Sequence, residues 1–375
     1  MLLKGAKVFI NSHFQLIDVI VENGKFKEFA KNIDNYNGEV LDLNGKKIIP
    51  GLTDIHTHGC VGCDMCDEDE KSLEIISKYM LENGILYFAP TSMTYPKERL
   101  IRPFMNAKLN KNKYAEIVGI HMEGPFISKD KIGAQNPNYL MEPDYDMVRE
   151  LDDLSGGLLR IISLAPELEN SLDFAKKING KYVLSIAHSV SDYDTAMSAY
   201  QNGFSHLTHM YNAMNKIEHR SPGPIIAAYE SGSTVEMIVD GVHIHEAVVR
   251  FSFDLFPADK ICMISDSMRA CGLADGIYDL GGQAVEKKGN KATLKGTNTI
   301  AGSASNLYDC MKCALQMGVD EEKVIRACTE NPARVMNIID KKGVIKLDND
   351  ADFLICDENL NILEIYQKGD RVCKK

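Results

Sequence analysis

A chain of 375 residues with 45% hydrophobic and 25% charged residues has the make-up of an ordinary folded protein with a large core, which excludes disordered and fibrous classes. Its formal net charge of −11 repels nucleic acid and anionic membranes, so neither is expected as a partner. No apolar run reaches the roughly 18 residues of a bilayer span, and the N-terminus lacks the unbroken apolar core of a signal peptide, so the cytoplasm is the expected compartment.

In chain order, "KGAKVFI", "FQLIDVIVENGKF" and "GEVLDLNGKKIIP" read as short strands separated by turns. The C-terminal "KGVIKLDNDADFLICDENLNILEIYQKGDRV" has the same texture, with Asn and Asp clusters at its turns. Two ends of matching β character predict one small β-sandwich domain built from residues 1–50 plus 340–375. Residues 51–339 are then an insert between its halves.

The insert alternates strand-like with helix-like runs. Strands are predicted at "GLTDIHTH", "LYFAPTSM", "EIVGIHMEGPF", "LLRIISLAPE", "YVLSIAHS", "FSHLTHMY", "VEMIVDGVH" and "KICMISDS". Helices are predicted at "DEKSLEIISKYMLENG", "SLDFAKKING", "DYDTAMSAYQNG", "HEAVVRFSFDLF" and "NLYDCMKCALQMG". This α/β alternation predicts a TIM-like (β/α)8 barrel, although the pattern alone also suits an open two-sided sheet.

Barrel enzymes place their chemistry at the C-terminal ends of the strands. Here the predicted strands end in His56 and His58, Glu123, His188, His206 and His209, His243, and Asp266. Strand residues two apart share a face, so His56 and His58 converge on one point. Burying so many ionisable groups without a partner costs several kcal/mol each by rough estimate. A shared divalent ion is the simplest compensation, and a His/carboxylate set suits zinc first, with iron(II) or manganese as alternatives. Metal-assisted hydrolysis follows, with Asp266 placed to carry the proton from water to a leaving nitrogen. Taken singly, Glu123 reads equally as a turn carboxylate and Asp266 as a helix cap; their joint placement favours the site.

Cysteine chemistry is a lesser signal. Cys60, Cys63 and Cys66 make a C-x2-C-x2-C run, but the fourth cysteine of a cluster pattern is missing, and Cys310 and Cys313 fall on an amphipathic helix. All are read as inert thiols.

From about residue 3 to 370 the ordered motifs "PGLTDIHTHG", "HMEGPF", "LAPE", "AHS", "THMYNAM", "DGVH", "SDS" and "AGS" resemble the N-acetylglucosamine-6-phosphate deacetylases of the amidohydrolase superfamily. The resemblance implies a barrel inserted into a small β domain. It makes Glu123, His188 and His209 the principal metal ligands and Asp266 the general acid/base. It gives His56 and His58 to a second metal position that only some members keep, so one or two ions per chain are expected. The backbone around Asn212 and Ala213, with Arg220 and His243, would meet the phosphate of an acetylated amino sugar. A neighbouring subunit often completes that phosphate site, which implies a homodimer.

Some positions depart from the pattern. Gln135 stands where some relatives carry a histidine that polarises the acetyl carbonyl; a glutamine can donate a hydrogen bond but never becomes cationic. Ser265, Ser267 and Arg269 surround the aspartate where smaller or different residues are usual, which bears on substrate breadth. The competing readings are another amidohydrolase, dihydroorotase-like or an N-acyl-amino-acid deacylase, and an inactive metal-binding scaffold. A carboxylate at Glu123, where many of the former use a modified lysine, and the presence of Asp266 argue against both.

Overall fold

The computed structural model describes residues 1–110, 112–178 and 180–375. All eight predicted strands form: Leu52–Thr57, Ile85–Ser92, a third split into Glu116–Ile117 and Ile120–Glu123, then Leu159–Leu164, Val183–Ile186, Phe204–Leu207, Thr234–Ile238 and Ile261–Ile264. Each pairs in parallel with its sequence neighbour. Their near-continuous apolar runs suit strands buried on both faces. The ring closes between the eighth and first strands through Asp266 N–H to His56 O (2.9 Å) and His58 N–H to Ser267 O (2.8 Å). Closure is therefore made by the residues that carry the candidate chemistry.

A helix follows every barrel strand: Lys71–Glu82, Lys97–Leu109, Tyr145–Ser155, Ser171–Ile178, Tyr193–Gln201, Gly223–Ser231, Glu246–Leu255 and Leu307–Gln316. The second, third and sixth escaped the sequence reading. Pro103 lies inside Lys97–Leu109 and reads as a breaker, yet the helix accommodates it with the ring buried. Gly223–Ser231 is apolar nearly all round and shows no stripe to detect. Also unforeseen is a three-stranded antiparallel sheet, Gly276–Leu280, Gln283–Lys288 and Lys291–Leu294, inserted between the eighth strand and its helix. It reaches the barrel mouth, where Gln283 Nε2 donates to Ala134 O at 2.6 Å.

Both termini build one further sheet of eight strands, with Lys47–Pro50 beside Phe353–Cys356 at the junction of the two chain ends. Phe26 N–H bonds to Asn349 O and Ala351 N–H to Gly24 O, tying one edge back onto the returning chain. Its own core includes Leu3, Val8, Val19, Ile48, Phe353 and Tyr366. Among the described residues no helix is long and apolar enough to cross a membrane.

Candidate metal centre and active-site cavity

The first strand delivers His56 and His58, the third Glu123, and the turns after the fifth, sixth and eighth strands deliver His188, His209 and Asp266. The structure brings all six together. Glu123 Oε1 lies 3.2 Å from His188 Nε2 and 3.0 Å from His209 Nε2, while its Oε2 lies 3.3 Å from His58 Nε2. Asp266 Oδ1 lies 3.1 Å from His58 Nε2 and 3.5 Å from His56 Nε2. The six form two groups of potential ligands, Glu123–His188–His209 and His56–His58–Asp266. Ligand atoms on a tetrahedral ion at about 2.1 Å stand roughly 3.4 Å apart, which is the spacing seen here. Glu123 faces both groups, one oxygen to each side.

Hydrogen bonds orient the rings for ligation. Nδ1 of His188 donates to Lys131 O at 2.8 Å, Nδ1 of His58 to Thr91 O at 3.1 Å, and Nδ1 of His56 to Glu236 Oε2 at 2.9 Å. Each of those rings therefore turns an Nε2 lone pair to the centre. His56 Nε2 is buried with no hydrogen-bond partner, an orphaned acceptor that a cation would satisfy. The donor set fits a divalent metal.

Electrostatics agree. Burial pushes the Glu123 carboxyl up, but hydrogen bonds from His188, His209 and His58 outweigh it and hold the group well below the ordinary carboxylate range. For His56, burial works downward and is overcome by Glu236 and Asp266, which raise it to about 9. Carboxylates and imidazoles thus attract strongly across the centre, where a metal ion would supply the positive charge. The backbone is strained where it presents these groups: His188, His209 and Asp266 have φ of 44°, 28° and 48°, in the left-handed region that non-glycine residues rarely adopt.

The centre floors a cavity of about 300 Å³ that His243, Ala213, Asn212 and the segment Asn298–Ile300 also line. A larger one of about 580 Å³ opens beside Phe204, Thr234 and Lys260, at the N-terminal strand ends and away from these groups. His243 is fixed by Nδ1 to Asp240 Oδ2 at 2.8 Å, leaving Nε2 for a ligand. Asn212 N–H is engaged with His209 O at 3.0 Å. Arg220 lies on an exposed turn and is not among the cavity residues of its own chain.

Gln135 is buried at the cavity edge, where its amide donates to Glu123 Oε2 and accepts from Thr94 N–H at 2.9 Å. One amide N–H is thereby committed to the carboxylate. Ser265 and Ser267 face away from the cavity: the first donates to Asp54 Oδ2 at 2.6 Å and the second to Gly59 O at 2.9 Å, anchoring Asp266 between them. Arg269 also points away, pairing with Asp67 at 3.0 Å. The three clustered cysteines are free thiols, and among the described residues no ligand group of metal-binding spacing contains a cysteine.

The model of the Amidohydrolase family matches residues 48–372. The chain belongs to the amidohydrolase family. Relatives named N-acetylglucosamine-6-phosphate deacetylase include those of Bacillus subtilis, 31% identical over 89% of this chain and 87% of the relative, and Lysinibacillus sphaericus, 32% over 94% and 92%. Among solved structures, a substituted N-acetyl-D-glucosamine-6-phosphate deacetylase from Mycobacterium smegmatis, in complex with N-acetyl-D-glucosamine-6-phosphate, superposes with a TM-score of 0.94 at 26% identity, covering 100% and 99% of the two chains. Amidohydrolases depend on metal, and this chain has the His, Asp and Glu groups to hold one.

Three polar residues of this amidohydrolase barrel went unnoticed or misplaced in the sequence. His121, two residues before Glu123, donates from Nδ1 to Ile55 O at 2.9 Å and accepts at Nε2 from Ser163 Oγ at 2.7 Å. Burial holds it neutral, down at about 3. His206 stands below the rim, not on it, with Nε2 3.2 Å from Glu236 Oε1. Glu236 is fully buried in the lumen. A carboxylate inside the apolar run "VEMIVDGVH" was the available signal, because a charged residue in a doubly buried strand demands a partner.

Proposed function

We propose that this chain is a metal-dependent hydrolase that removes the acetyl group of N-acetylglucosamine 6-phosphate to give glucosamine 6-phosphate and acetate. The observation that carries the reading is Asp266, held by the strand-closing bonds beside two ligand groups at the floor of the cavity. Likeness to the named relatives over most of the chain supports the substrate. In this reading residues 51–339 form the catalytic barrel and residues 1–50 with 340–375 the β domain, acting in the cytoplasm.

Glu123, His188 and His209 would hold one ion and His56, His58 and Asp266 a second, with zinc the first choice. A divalent ion held by these residues would polarise the acetyl carbonyl and lower the pKa of water. Asp266 Oδ1 faces His56 and His58, which leaves Oδ2 to take the proton of the attacking water. The new C–O bond forms at the acetyl carbon, and the C–N bond breaks as Asp266 returns that proton to the sugar nitrogen. The second N–H of Gln135 can donate to the acetyl oxygen. His243 and the backbone N–H of Ala213 receive the phosphate, the Asn212 N–H being committed to His209 O. Arg220, outside its own cavity, completes the phosphate site of a partner in a homodimer. Acetate release from the phosphosugar by the purified, metal-loaded protein tests the reading.

A further inference from the structure

Glu236 is 0% exposed and lies beneath the cavity, outside both ligand groups of the proposed centre. It stands with His56 and His121 at ligand-like spacing, but that trio is not a third metal site. His121 spends its Nδ1–H on Ile55 O and its Nε2 lone pair on Ser163, so no lone pair faces Glu236. The carboxylate is instead an acceptor for three donors. Oε2 receives His56 Nδ1–H at 2.9 Å and His209 N–H at 3.1 Å; Oε1 receives His206 Nε2–H at 3.2 Å. The backbone of the same residue takes Met210 N–H at 2.8 Å.

These bonds reach both halves of the centre. In the first, the bond to Nδ1 sets the tautomer and tilt of His56 and turns its orphaned Nε2 towards Asp266. In the second, His209 sits at φ 28°, and its ring Nδ1 is buried without any hydrogen-bond partner. What holds that ring over Glu123 is the turn itself, pinned at residue 209 by the Glu236 side chain and at residue 210 by its carbonyl. We propose that Glu236 is a positioning residue for both metal positions, orienting His56 directly and His209 through its backbone. Carboxylate partners of metal-bound histidines are worth about 10- to 100-fold in metal affinity. Here one carboxylate serves a histidine of each group.

The inference rests on the metal-binding reading, so the experiment separates the two. Chelator-stripped wild type, Glu236→Gln and His56→Gln are each titrated with Zn2+ against a chromophoric chelator, with circular dichroism confirming the fold. His56→Gln should lose one ion and leave the other at wild-type affinity; if it loses none, the two-ion reading fails, whatever Glu236 does. Glu236→Gln keeps the shape but removes the negative charge that strengthens the bonds from His56 and His209, and should weaken both ions by about 10- to 100-fold. Either ion staying within about threefold of wild type in that variant overturns the inference. If the Gln variant does not fold, Glu236→Asp, which keeps the charge but withdraws it by one methylene, is judged by the same two criteria.

Discussion

Replacing Asp266 by Asn is the sharpest perturbation of the proposed mechanism, because it removes the proton carrier while keeping the shape of the side chain. The side chain is nearly isosteric, and its Oδ1 can still face His58, now 3.1 Å away, and His56 at 3.5 Å. The backbone bonds that set its position, to His56 O at 2.9 Å and from Ser303 N–H at 2.7 Å, do not involve the side chain. General acid/base assistance is worth roughly 10²- to 10⁴-fold, about 3–5 kcal/mol of barrier. Loss of one negative charge also weakens the ion near His56, so turnover must be compared at saturating metal. The assay is acetate release with metal content measured on the same sample. We expect kcat to fall by about 10²-fold or more with KM little changed and the melting temperature within a few degrees of wild type. A fully loaded variant retaining kcat within about tenfold of wild type would refute the role given to Asp266.

Other consequences follow from the same geometry. The His56→Gln/His58→Asn double variant should drop from two ions per chain to one by elemental analysis after incubation with excess zinc; a wild-type count of one would return the pair to hydrogen bonding alone. Arg220→Ala should raise KM for the phosphorylated sugar by about 10- to 100-fold and hardly alter the unphosphorylated one, since a charge-assisted phosphate contact is worth about 1.5–3 kcal/mol. Equal losses on both substrates would make Arg220 structural. Gly133 has φ +59°, and a Cβ there would stand 3.1 Å from Cε1 of His188. Gly133→Ala should therefore cost about 1–2 kcal/mol of stability, read as a lower melting temperature, and weaken metal binding at His188; unchanged metal affinity would contradict that contact.

The barrel was legible because each of its strands is a continuous apolar run bounded by turns. The site was legible because histidines and carboxylates recur where those runs stop. What escaped has physical causes. Lys97–Leu109 carries a proline that normally ends a helix, and the sheet from Gly276 to Leu294 consists of short, mostly polar strands that bury little. His206 was placed on the rim with His209, yet the strand ends at Leu207 and only the turn lifts His209 to the ion position. Glu236 lies inside the strand Thr234–Ile238 among apolar residues, so the pattern of polar strand ends does not mark it. The departures at Ser265, Ser267 and Arg269, which bore on substrate breadth, are side chains turned away from the cavity.

Hydrolysis of an acetamide on a phosphorylated amino sugar can be measured directly. The purified protein, loaded with zinc, is given N-acetylglucosamine 6-phosphate and N-acetylglucosamine in parallel, and free acetate and free amine are quantified. Equimolar acetate and amine are expected from the phosphosugar, abolished by chelator and restored by zinc, with at least about tenfold lower kcat/KM on the unphosphorylated sugar. No acetate from the phosphosugar with metal bound, or equal rates on both sugars, would contradict the proposed function.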